Sequence, residues 1–182
     1  QEMQQDVRES LTAAEVYVRY CTSETEKAAL LFTYLAERFP YQQGDSRTPV
    51  YSALCQGVAN SKSMAQSWQL LCDEAGLSCR TVSGLRGGEA YWWNIVTLDG
   101  VSCHVDVLRD LLDGSTLRLR YDEDMAGGYY WDTEDVPACP APAPEEEEPE
   151  APAPTEDQPA SEDPAEDPAE TPEAQPTEPE TP

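Results

Sequence analysis

The feature that most constrains this chain is a segment that cannot form a core. From residue 141 to 182 the only apolar side chain is Ala, a Pro recurs every third or fourth position, and 15 acidic residues stand with no Lys or Arg among them. Like charges repel, Pro removes backbone donors, and alanine methyls bury too little surface to offset the entropy of ordering, so 141–182 is expected to be a disordered acidic tail. Folding falls to the first 140 residues, enough for one compact domain.

The tail also carries much of the charge. Of 36 acidic residues 21 precede it, against 11 basic ones, so the formal net charge of −25 drops to about −10 for the folding part. With no cluster of Lys and Arg, a nucleic-acid partner or an anionic membrane would be repelled. No apolar run approaches the roughly 20 residues that span a bilayer, so direct membrane insertion is not expected. A start at Gln1 instead of Met leaves room for a removed signal peptide or anchor. Six cysteines (21, 55, 72, 79, 103 and 139) include no CxxC pair and accompany a single His, which argues against structural zinc; no metal or cofactor is expected. Disulfides would suit an oxidising compartment, but a domain of this size is stable without them, so cysteine count leaves the compartment open.

Residues 1–22 lack a clean period and read as a leading helix or irregular arm. Ser23 with Glu26 makes a capping-box start, and Ala28, Leu31, Phe32 and Leu35 share one face until Pro40. The polar run Tyr41 to Pro49 reads as a surface loop. Ser61, Ala65, Trp68, Cys72 and Ala75 recur at helical spacing, and Gly76 stops that helix. Ser61 therefore looks along the apolar face, into the core or a cleft.

Beyond Ser78 the period becomes that of strands: Cys79 to Gly84, Ala90 to Leu98 and Val101 to Val107, joined by Gly87-Gly88 and Asp99-Gly100, both hairpin turns. A two-residue turn at Asp99-Gly100 pairs Leu98 with Val101, sets Asp106 opposite Trp93, and places Tyr91 diagonal to Asp106 on one face, shared with Trp93, Ile95 and His104. Arg109 to Leu112 suggests a helical turn, Leu117 to Tyr121 a further strand, and Tyr129 to Trp131 an aromatic closing segment before Pro137. The fold class is α+β, with N-terminal helices packed on an antiparallel sheet.

A residue at the inward start of a helix, followed by facing positions on neighbouring strands, is the layout of nucleophile, base and orienting carboxylate. At this point the sequence resembles the transglutaminase-like superfamily, whose core has a papain-like architecture. The resemblance is carried by Tyr51 to Leu77 (YSALCQGVANSKSMAQSWQLLCDEAGL), by Tyr91 to Asp106 (YWWNIVTLDGVSCHVD) and more weakly by Tyr121 to Cys139. Ala53, Leu54, Ala65, Trp68 and Ala75 to Leu77 match the first family stretch; Trp93, Asn94, Asp99, Gly100 and Asp106 match the second. It implies a domain over residues 23–140.

The same alignment sets Ser61 at the family's cysteine, Ser63 at its glycine and Tyr91 at its histidine, with Asp106 at the triad aspartate. A thiol at a helix N-terminus beside an imidazolium ionises near neutral pH. A serine hydroxyl does not, and needs a base. Tyr, with an ordinary pKa near ~10, is no base at pH 7. The resemblance thus implies a transglutaminase-like pseudoenzyme acting as a binding or structural module. The alternative is an active acyl-transfer enzyme of peptidase or transglutaminase type, using Ser61 with His104 as displaced base, or a relocated thiol at Cys55 or Cys103. Trp92 and Trp93 are expected to pack, one of them lining a groove for a peptide, protein or cell-wall ligand. The extended tail suits a spacer on an exported bacterial surface protein, the alternative being a cytoplasmic one.

Overall fold

The computed structural model describes residues 1–143; the tail expected at 141–182 therefore lies almost wholly outside the described residues. Elements follow in the order α1 (Glu2–Val18), α2 (Glu24–Arg38), β1 (Gln42–Gln43), α3 (Pro49–Cys55), β2 (Val58–Ala59), α4 (Ser61–Glu74), β3 (Ser78–Arg86), β4 (Glu89–Leu98), β5 (Val101–Val105), α5 (Val107–Leu112), α6 (Asp122–Met125) and β6 (Tyr129–Trp131). This is the expected α+β class. An antiparallel sheet in the order β5-β4-β3-β6 carries α4 on one face.

Helix α2 begins where its cap predicts, the Ser23 Oγ accepting from the Glu26 N–H at 3.1 Å. In α4 the cap is Asn60: its Oδ1 accepts from Ser63 N–H at 2.8 Å, while Ser63 Oγ accepts from Asn60 N–H at 3.0 Å. Ser61 is thus the first helical residue, not the cap. Helix α4 ends in a Schellman turn, Leu77 N–H on the Cys72 carbonyl at 2.8 Å, with Gly76 at φ 74°. Both hairpins have positive φ at their two turn residues, Gly87 with Gly88 and Asp99 with Gly100, and β4 pairs with β5 in the expected register, Leu98 with Val101.

Of the two readings of residues 1–22 the structure has the helix, α1, anchored where the Tyr34 Oη donates to the Ser10 carbonyl at 2.9 Å. Four other elements differ from the sequence reading. The loop expected at 41–49 contributes β1, paired in parallel with β2, and Pro49, at the first helical position, opens α3, too short for its period to be read. The strand expected over 117–121 shrinks to one bridge between His104 and Arg120. There the chain bends around a buried carboxylate, as Asp110 accepts from Arg120 Nη2 at 2.5 Å and from Arg118 N–H at 2.9 Å. Strand β5 stops at Val105, because Asp106 turns out of it to cap α5.

Two apolar clusters lie on the two faces of the sheet. The α4 side gathers Leu31, Leu35, Leu54, Trp68, Leu71, Val96 and Val105. The other gathers Val82, Trp93, Ile95, Met125, Tyr129 and Cys139. Gly84 is the close approach in the second cluster, since a Cβ there would overlap the Tyr130 carbonyl oxygen and meet the Trp93 ring at 2.8 Å. Gly84→Ala should cost about 1–3 kcal/mol by pushing β6 off β3. Urea denaturation checks this; an unchanged midpoint would mean that the two strands part freely.

Candidate functional site

The N-terminus of α4, the end of β4 nearest its turn from β3, and α5 enclose an open cleft of about 970 Å³, lined by Ser61, Lys62, Arg86, Tyr91, Trp92 and Arg109 among others. Ser61 Oγ accepts from the Trp92 N–H at 3.4 Å, which ties the start of the helix to β4. Tyr91 and Asp106 meet as the register implied, Tyr91 Oη donating to Asp106 Oδ1 at 3.1 Å.

Asp106 is the hub. Its Oδ2 accepts from Tyr129 Oη at 2.7 Å and its Oδ1 also accepts from the Arg109 N–H at 3.2 Å, closing the first turn of α5. The chain of donors continues outward, Arg86 Nη1 to Tyr91 Oη at 3.3 Å and Arg109 Nη1 to Tyr129 Oη at 3.1 Å. Burial, and then the Asp106 charge, push the phenol of Tyr91 well above its ordinary range, so it stays a neutral donor. The same causes raise Tyr129. A carboxylate that would orient a base instead receives two phenols and a helix N–H.

Of the other sequence-derived candidates, only Trp92 lines this cleft. Trp93 is 1% exposed in the second cluster, donating its indole N–H to His104 Nδ1 at 3.0 Å. His104 is fully buried beside it, its Nε2 2.9 Å from Asp122 Oδ1, and the structure does not bring it to Ser61. Cys103 is buried, and burial pushes its thiol up to about 11. Cys55 ends α3 beside a separate cavity shared with Arg38 and Asp6, its thiol also raised by burial. None of the six cysteines is disulfide-bonded. Sequence reasoning missed Lys62, Arg86, Arg109 and the part played by Tyr129; single Lys, Arg and Tyr residues on separate elements leave no local pattern.

His104, Asp122 and Cys139 place their ligand atoms within 4.8 Å of one another, a set with metal-ligating chemistry. The hydrogen bonds assign it otherwise. Indole N–H can only donate, so His104 Nδ1 holds the lone pair and Nε2 carries the proton toward Asp122, which leaves no free nitrogen for a cation. Asp122 Oδ2 also accepts from the Cys139 N–H at 2.9 Å, strapping the end of the described chain to the sheet.

Burial lowers the pKa of His104 below the ordinary 6.5, more than Asp122 raises it. The unfolded chain then takes up the proton first as pH falls. This contribution to stability is whole above pH ~6.5 and declines below it, by at most about 1.4 kcal/mol per pH unit, until the folded pKa is passed. As the chain has one His, its imidazole NMR titration is unambiguous; a midpoint at or above 6.5 would contradict the burial.

A sequence model of the Transglutaminase-like superfamily matches residues 12–107, just over half of the chain, and the match takes in Ser61, Tyr91 and Asp106. No curated protein matches in sequence. Similar solved structures include a candidate protease from Parabacteroides distasonis (13% identity, TM-score 0.45, 57% of this chain and 25% of that one). A candidate cysteine protease from Cytophaga hutchinsonii is 10% identical, with a TM-score of 0.47 over 68% of this chain and 46% of that one. A transglutaminase is 13% identical, with a TM-score of 0.44 over 58% and 31%. The chain thus spans less than half the length of each. On the family match, and on a helix-and-sheet frame in which the three motif positions converge, this chain belongs to the transglutaminase-like superfamily.

Proposed function

We propose that this is a non-catalytic member of its superfamily, which keeps the cleft as a binding site and serves as a binding module of an exported bacterial protein. The observation that carries the reading is the Tyr91 to Asp106 hydrogen bond, because the position of the base holds a phenol whose proton is already committed to the carboxylate. Among the described residues Ser61 Oγ has only the Trp92 N–H as hydrogen-bond partner, and none of them accepts its proton. Without nucleophile and base an acyl-transfer site forfeits several orders of magnitude in rate.

The acidic, Pro-rich composition of 141–182 fits the spacer of a surface protein. The test is incubation of the full chain with amine and glutamine-peptide donors and with a protein substrate. No turnover is expected; turnover abolished by Ser61→Ala would establish an enzyme instead.

A further inference from the structure

Strand β4 outruns its neighbour. Strand β5 pairs with Asn94 to Leu98 only, so residues 89–93 have β3 on one side and, among the described residues, no strand on the other. Backbone groups on a strand point alternately to its two sides. The Trp92 N–H points away from β3, to Ser61, and so the N–H and C=O of Ala90 point the same way. Ala90 is exposed, and it and Trp92 line the cleft. Ser61 takes the Trp92 N–H, so the open part of this sheet edge is the N–H and C=O of Ala90, which an extended peptide can pair with.

The cations beside this edge are placed unusually for so acidic a domain. Lys62 Nζ stands 5.5 Å from the centre of the Trp92 ring, and Arg86 Cζ 5.1 Å from that of Tyr91. Since Tyr91 and Trp92 are consecutive in a strand, their side chains lie on opposite faces, which puts one cation on each face of the open edge. Neither is in an ion pair among the described residues, although acids outnumber bases 21 to 11 before the tail. Arg109, the third cation of the cleft, is held by Asp113 at 3.7 Å and by Tyr129. Among the lining carboxylates, Asp45 accepts from Asn60 at 2.7 Å, and Glu89 pairs across the turn with Arg86 in register without an ion pair.

We infer that the cleft takes an extended acidic peptide, which pairs with the backbone of Ala90 while the Trp92 N–H stays with Ser61, and offers two adjacent carboxylate side chains, one to Lys62 and the other to Arg86. Adjacent side chains of an added strand point to opposite faces, so a Glu-Glu or Asp-Glu step matches the two cations where a lone carboxylate cannot. Trp92 and Tyr91 supply flat surfaces for the methylenes of those side chains. The inference rests on the binding reading of the cleft given above.

The test is calorimetric titration of the full chain, in about 20 mM salt to limit screening, with acetyl-Ala-Glu-Glu-Ala-amide and its Gln-Gln counterpart. The Glu-Glu peptide should bind at least about tenfold more tightly, and Lys62→Gln or Arg86→Gln should each weaken it about three- to tenfold. Methylating both Glu amide nitrogens should abolish the preference, because the added strand loses its donors, and Glu89→Gln should tighten binding. Lys62 is exposed, so its replacement leaves the fold intact if the melting temperature is unchanged. Equal affinity for the two peptides, indifference to N-methylation, or glutarate binding as tightly as the Glu-Glu peptide would overturn the inference. Turnover of the donors above would overturn the non-catalytic reading instead, and the titration reads binding alone, so the two failures are distinguishable.

Discussion

Asp106→Ala should lower the free energy of unfolding by about 3–5 kcal/mol, because it removes a helix cap, worth roughly 1 kcal/mol, and leaves two phenols and an N–H without their acceptor. Asp106 is 2% exposed, and Tyr129, which donates to it at 2.7 Å, is 6% exposed, so water cannot readily replace the lost oxygens. Asp106→Asn keeps an acceptor oxygen and should cost about half as much. Chemical denaturation of the two variants checks the ordering. A loss below about 1 kcal/mol for the alanine variant would mean that the aspartate no longer organises the site.

Placing Cys and His where the resemblance implies them should have the largest chemical effect. In the double variant Ser61→Cys with Tyr91→His, the introduced thiol lies at the first turn of the 14-residue helix α4, beside the strand that bears the introduced imidazole. The helix end favours thiolate, and an imidazolium favours it further, so the thiol should titrate near 7 or below instead of near ~8.5. Alkylation by iodoacetamide at pH 7 should then run at least about tenfold faster than in Ser61→Cys alone. Equal rates in the two variants would mean that the Tyr91 position no longer faces the thiol. Thioester or amide turnover by the double variant would further show that the groups around the cleft still support acyl transfer.

The parts of the site read from sequence were those written in short-range signals. Ser23 with Glu26 and the 61-65-68-72-75 spacing set two helices through local caps and one apolar face. Gly87-Gly88 and Asp99-Gly100 set the two turns, and the second of them fixed the register that brings Tyr91 to Asp106. Of Trp92 and Trp93, one is expected to line a groove, without any local signal for which. That choice came from packing: Trp93 is held in the second cluster by Tyr129, Trp131 and His104, leaving Trp92 at the opening.

What escaped the reading depends on contacts between residues far apart in the chain. His104 shares a face with Asp106 in the strand pattern, yet Trp93, Asp122 and the bridge to Arg120 hold it in the interior. Tyr129 reaches Asp106 across 23 residues, and Arg86 joins through Tyr91 from another strand. The sequence by itself determined the α+β frame, the inward start of α4 and the strand register that sets Tyr91 near Asp106, because capping, periodicity and turn chemistry act over a few residues. Only the tertiary structure decided that Asp106 is saturated by phenols, that His104 is kept from Ser61, and that β4 leaves an open edge between two cations. Each of those depends on where separate elements come to rest against one another, which side-chain packing and long-range hydrogen bonds settle and local sequence does not encode.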